Sequence, residues 1–128
     1  MKSIEEILSN PNISNDVKLT NILYELGIPC RFAGFDYIKT AVKLILSEPE
    51  VYNSQSNSVI KLMHRVAEAY NSTSSKVERG IRYAVEHGMA QGRADDWNNL
   101  FRFAIKPSGK VPNSEFLFRI ALILKEGV

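Results

Sequence analysis

Cysteine is almost absent from this chain. Cys30 is the only one among 128 residues, so an internal disulfide and a cysteine-built zinc site are both excluded. The thiol reads as a small core or surface group in a reducing compartment. Histidine is nearly as scarce, with only His64 and His87. No glycine-rich phosphate loop and no metal-ligand spacing occur either. The expectation is no enzyme, no catalytic residue, no cofactor and no metal. Long apolar runs are missing too: none approaches the roughly 20 residues needed to cross a bilayer. The opening Met1-Lys2-Ser3-Ile4-Glu5-Glu6 places acids where a signal peptide needs a basic and then an apolar stretch. A soluble cytoplasmic protein without membrane association is expected. An excess of one charge is also lacking. The net charge is +2 and the isoelectric point about 8.7, so only the local placement of basic groups can argue for nucleic acid.

What is present is a normal globular balance, 45% apolar and 23% charged, enough to bury one core. One domain over residues 1–128 is expected. Its dominant pattern is helical. Ile4, Ile7 and Leu8 suggest a short first helix that Asn10-Pro11-Asn12 ends. Leu19, Ile22, Leu23 and Leu26 recur at helical spacing, Gly27 sits where a C-terminal cap belongs, and Pro29 follows. Gly34 separates this run from Tyr37, Ile38, Ala41, Val42 and Ile45. Residues 47–58, rich in Ser, Asn and Gln, read as a surface loop. The strongest pattern is Val59, Leu62, Met63, Val66, Ala67 and Tyr70, followed by the turn-like Asn71-Ser72-Thr73-Ser74. Val77, Ile81, Ala84, Val85 and Gly88 mark another helix, and Trp97, Leu100 and Phe101 a shorter one. Lys106-Pro107-Ser108-Gly109-Lys110 is a turn, and Pro112-Asn113-Ser114-Glu115 opens a last helix. Phe101-Arg102-Phe103-Ala104-Ile105 alternates briefly and is the one stretch with any strand character.

Two helices joined by a few polar residues form a unit whose second helix can enter the major groove. Residues 59–90 have that organisation. Ala67 is small where two helices must approach, Asn71 tolerates the left-handed conformation of a sharp turn, and Val77 and Ile81 can anchor the second helix. Ser75-Lys76-Val77-Glu78 matches a capping box, with the Ser75 hydroxyl at the N-cap and Glu78 reaching back. The face opposite Val77 and Ile81 carries Ser75, Lys76, Glu78, Arg79, Arg82 and Tyr83. Arginine can bond guanine O6 and N7 together, and glutamate can accept from cytosine N4. Lys76 and Arg82 suit phosphates. Each residue also has a plainer reading. Glu78 can cap its helix or pair with Arg82 at i+4, the two arginines can form a solvated face, and Tyr83 can pack at the core edge. Gly80 in mid-helix costs about 1 kcal/mol relative to alanine, which close packing against the preceding helix would explain.

The stretch from Ser75 to Ala84, S-K-V-E-R-G-I-R-Y-A, resembles S-R-V-E-R-A-I-R-H-A, the recognition-helix segment of the Spo0A C-terminal family. That family comprises the DNA-binding output domains of sporulation response regulators. Glu25-Leu26-Gly27-Ile28-Pro29, Gly34-Phe35-Asp36-Tyr37-Ile38, the run from Ala67 to Thr73, and Pro112-Asn113-Ser114-Glu115-Phe116 are similar to further motifs of the family, in the same order. The resemblance spans about Asp16 to Leu124. It implies an all-α domain of about six helices with a central helix-turn-helix, residues 1–15 being an N-terminal extension. It also implies a sporulation-type transcription regulator that binds double-stranded DNA at promoter boxes, often as a dimer on tandem copies. Glu78, Arg79 and Arg82 would read bases, with Ser72, Thr73, Ser75, Lys76 and Tyr83 at the backbone or groove edge. RNA polymerase sigma factor is the implied partner of the segment after the recognition helix, where Asp95-Asp96 adds acid.

Two departures bear on function. The family's output domain follows a phosphoacceptor receiver, and these residues leave no room for one; an excised fragment and a stand-alone relative both fit, and the opening Met1 and the Ile4–Leu8 segment favour the second. Glu68-Ala69 stands where the family has a basic pair, which weakens attraction to a phosphate backbone. The alternative function is therefore a protein-interaction module that kept the fold and modulates another regulator.

Overall fold

The computed structural model describes residues 3–127; Met1 and Lys2, part of the signal-peptide argument, lie outside the described residues. Among the described residues seven helices form in chain order: α1 (Ile4–Ser9), α2 (Asn15–Glu25), α3 (Ala33–Ser47), α4 (Ser56–Ala69), α5 (Ser74–Gln91), α6 (Ala94–Phe101) and α7 (Asn113–Glu126). No strand occurs among the described residues. The fold is all-α, and the short α1 precedes the six helices the resemblance implies. The hydroxyls of Ser3 and Ser14 accept from the amides of Glu6 and Val17, which fixes the starts of α1 and α2. The alternating stretch after Phe101 is a turn: the amides of Ala104 and Ile105 both donate to the Phe101 carbonyl, at 2.8 and 3.0 Å. Phe103 consequently points outward, 91% exposed.

Helix α3 is the centre of the packing. Its buried stripe of Phe35, Ile38, Ala41, Val42 and Ile45 follows helical spacing, and α3 packs on α5, α7, α4 and α2. Helix α7 brings Phe116, Leu117, Ile120, Ala121, Ile123 and Leu124 into the same core. Each large apolar side chain buried here stabilises the fold by about 1.5–3 kcal/mol. Trp97, Phe101 and Phe116 stack with centroids 5.0–5.7 Å apart. The indole N–H of Trp97 donates to the Leu26 carbonyl at 3.0 Å, which satisfies the one polar group in that stack. At the surface, Asp16 ties α2 to α3 through Lys43 and Lys39. Hydrogen bonds from Lys43 and then Lys39 hold its carboxyl below the usual range.

Gly34 and the 47–58 loop differ from expectation. Gly34 lies inside α3 rather than separating two helices, and a Cβ on it would overlap the Gly80 carbonyl oxygen and stand 2.8 Å from the Ala84 Cβ. The close approach that explains Gly80 is thus with α3, not with the preceding helix α4; a Cβ on Gly80 would meet the Tyr37 ring at 3.0 Å. The 47–58 segment is a loop only over residues 48–55, because α3 runs to Ser47 and α4 begins at Ser56. It is also less superficial than its polar composition suggests. Tyr52 is 5% exposed, and the Ser58 hydroxyl receives the Asn53 amide while donating to the Val51 carbonyl.

Candidate nucleic-acid interface

The junction of α4 and α5 is built by two local devices. Asn71 has φ +51°, and around it the amides of Ser72 and Asn71 bond back to the carbonyls of Ala67 and Glu68 at 2.9 and 3.3 Å. This is the 6→1 and 5→2 pattern that closes a helix with a left-handed residue, and it turns the chain sharply. The left-handed Asn71 and the buried, small Ala67 are as expected.

The second device is the cap of α5, and here the capping-box reading is corrected. Thr73, extended at φ −119° and ψ 155°, is the N-cap, its hydroxyl accepting from the Lys76 amide. Ser75 is already helical, so Glu78 lies two residues beyond Lys76, the position from which a side chain could reach back to the cap. The physical reason is the shortness of the link. Asn71 closes α4 so completely that only Ser72 and Thr73 remain before the next helix, and a β-branched threonine favours the extended conformation an N-cap needs.

Helix α5 has two unlike faces. Val77, Ile81, Ala84, Val85 and Gly88 are buried, the first three with no accessible surface. Ser75, Lys76, Glu78, Arg79, Arg82 and Tyr83 are exposed, as is Thr73, while Ser72 is half-buried. No ion pair among the described residues engages Lys76, Glu78, Arg79 or Arg82, so the expected i+4 alternative between Glu78 and Arg82 is not formed. All eight expected residues therefore lie on the first three turns of α5 or the turn before it.

The two flanks of this face come from elsewhere in the chain. On one side the Asn113 side chain, in the first turn of α7, donates to the Glu78 carbonyl at 2.9 Å, and Lys110 stands 3.8 Å from Glu86. On the other side Phe32 packs against Tyr83 and His87, with centroids 5.1 and 4.7 Å apart. Tyr83 is nevertheless 62% exposed; it is an aromatic shelf, not a core-edge residue. Nearby, Tyr37 meets Tyr70 edge-on at 5.2 Å, and the Tyr70 hydroxyl bonds to Thr40 at 2.7 Å. Sequence reasoning missed Phe32, Tyr70 and Asn113 as supports. Their partners lie 30 or more residues away, and no local pattern marks such contacts.

Among the described residues no group of three or more His, Cys, Asp or Glu side chains is placed to hold a metal, and no helix is long and apolar enough to cross a membrane. Cys30 and His64 are both exposed. A family model described as "Sporulation initiation factor Spo0A C terminal" matches residues 19–124. The match runs from Leu19 in α2 to Leu124 in α7, and so contains the whole of α4, α5 and their flanks.

Proposed function

The chain belongs to the Spo0A C-terminal family, a family of DNA-binding output domains, and from that premise we propose that it is a sequence-specific regulator that reads double-stranded DNA with α5. In this reading α4 and α5 are a helix-turn-helix: α4 lies across the backbone and the first turns of α5 enter the major groove. Arg79 donates bidentately to a guanine, Glu78 accepts from a cytosine amino group, and Arg82 supports them. Ser72, Thr73, Ser75, Lys76 and Tyr83 meet phosphates and the groove edge, which fixes register and supplies salt-dependent affinity.

The observation that carries this reading is the state of Arg79 and Arg82: exposed, with no ion-pair partner among the described residues, on a helix whose opposite side is sealed into the core. The protein acts on cytoplasmic DNA, without catalysis or cofactor, over one domain spanning 1–128. Tandem occupancy by two copies and contact of the segment after α5 with RNA polymerase sigma factor are the further partners the family pattern carries.

Selection of bound sequences from a random duplex library, followed by a salt titration on the selected site, tests the proposal. An enriched motif and a steep fall of affinity with salt are expected. A flat pool with no salt dependence rejects it. One observation favours a second reading, a module that binds another protein: the exposed Phe103 lines one depression with Phe118 and Leu122. Capture of a protein partner by the chain, together with a flat DNA pool, would establish that alternative.

A further inference from the structure

The second flank of α5 carries a cation that neither the sequence motifs nor the family match singles out. Arg31 lies in the short link between α2 and α3 and is exposed. Its guanidinium sits over the Phe32 ring, 5.1 Å from the centroid. Phe32 in turn packs on Tyr83 and His87 of α5, and Arg31 and His87 line the same shallow depression. A continuous chain of tilted and edge-on ring contacts thus joins the link to the exposed side of α5, one turn after Arg79. No ion pair or hydrogen bond among the described residues engages the Arg31 side chain.

A helix about 10–12 Å across nearly fills a major groove about 12 Å wide, so its flanks face the two sugar-phosphate walls. The other flank of α5 offers a partly engaged cation, Lys110 beside Glu86. The Arg31 flank offers a free one. A guanidinium held over an aromatic face by cation–π attraction spends none of its N–H donors on an acceptor, and those donors are the groups that bond phosphate oxygens. An arginine held this way also loses less side-chain freedom when it binds.

We propose that Arg31 is a second phosphate clamp, and that residues 29–32 lie against the DNA backbone when α5 occupies the groove. This rests on the DNA-reading proposal above but goes beyond it, since it places a separate element on the duplex. Arg31 adds affinity without choosing sequence.

The test uses the full chain with the selected duplex and a scrambled duplex. Arg31→Ala is expected to weaken binding to both by the same factor, roughly threefold to tenfold, and to reduce the slope of log affinity against log salt by about one. Arg31→Lys is expected to restore the slope, because it keeps the charge. Melting temperature is unchanged, since the side chain is exposed. Cys30 adds an independent reading: it is the sole cysteine and is exposed. Its alkylation by iodoacetamide is expected to slow severalfold when duplex is bound. If the unaltered chain binds the duplex while Arg31→Ala leaves the slope unchanged, the clamp is overturned and the reading helix is not. If bound duplex leaves the alkylation rate of Cys30 unchanged, the placement of the link against the backbone is overturned. If the unaltered chain shows no salt-dependent binding, both proposals fail together.

Discussion

The two faces of α5 obey different rules. Inward, Val77, Ile81 and Ala84 have no accessible surface, and Gly80 lies so near Gly34 that no side chain fits between the helices. Outward, Ser75, Lys76, Arg79 and Arg82 are exposed, and among the described residues no ion pair engages the three cations. A helix divided this way separates two properties that are often entangled. Changes on one side are expected to act on folding, and, on the proposed reading, changes on the other to act on binding.

The strongest way to break that division is Val77→Asp. It buries an unpaired charge, so a loss of about 4 kcal/mol or more and of most helical circular dichroism is expected. An unchanged melting curve would refute the clamped face. Gly34→Ala comes next. Its methyl has no space against the Gly80 carbonyl oxygen, and overpacking of this kind destabilises by about 1–3 kcal/mol. A lower urea midpoint with DNA discrimination retained in the folded fraction is expected.

On the outward face, Arg79→Ala is expected to leave the melting temperature unchanged, weaken cognate binding by roughly 1–3 kcal/mol and relax the choice at one base pair. Equal discrimination between cognate and single-base-mutant duplexes would reject the base-reading role. Lys76→Ala should instead weaken every duplex alike and flatten the salt slope by about one unit; a loss confined to the cognate site contradicts it. The smallest effect is a gain. Glu68, exposed on α4, repels a phosphate backbone, so Glu68→Lys should raise affinity a few-fold and steepen the slope by up to about two units, again without preference for sequence. Titrations of the two chains at several salt concentrations check it.

How much of this was legible beforehand depends on the range of the contact. Asn71 and Gly27 are marked by local chemistry, since few residues accept positive φ, and both close their helices as expected. The helical stripes of α2 to α7 were readable for the same reason: periodicity is a local signal. The cap of α5 was misplaced because Ser72-Thr73-Ser74-Ser75 offers four hydroxyls in a row. Only the turn geometry around Asn71 selects Thr73. Gly34 looked like a separator because a glycine that ends a helix and one that admits a neighbouring helix are identical in sequence. The buried Tyr52 was hidden in a polar segment, and the Asn113 bond to Glu78 joins residues far apart in the chain. The six exposed residues of α5, Ser75, Lys76, Glu78, Arg79, Arg82 and Tyr83, could be named early because their face is defined by its opposite, and the apolar side of a helix is the easier one to see.

The lone tryptophan has a practical consequence. Trp97 is sealed between Phe101, Phe116 and the Leu26 carbonyl, away from the outward surface of α5. Its fluorescence will therefore shift when the hydrophobic interior opens and stay constant when DNA arrives. A single sample, watched at two wavelengths with a labelled duplex, reports folding and occupancy as independent signals.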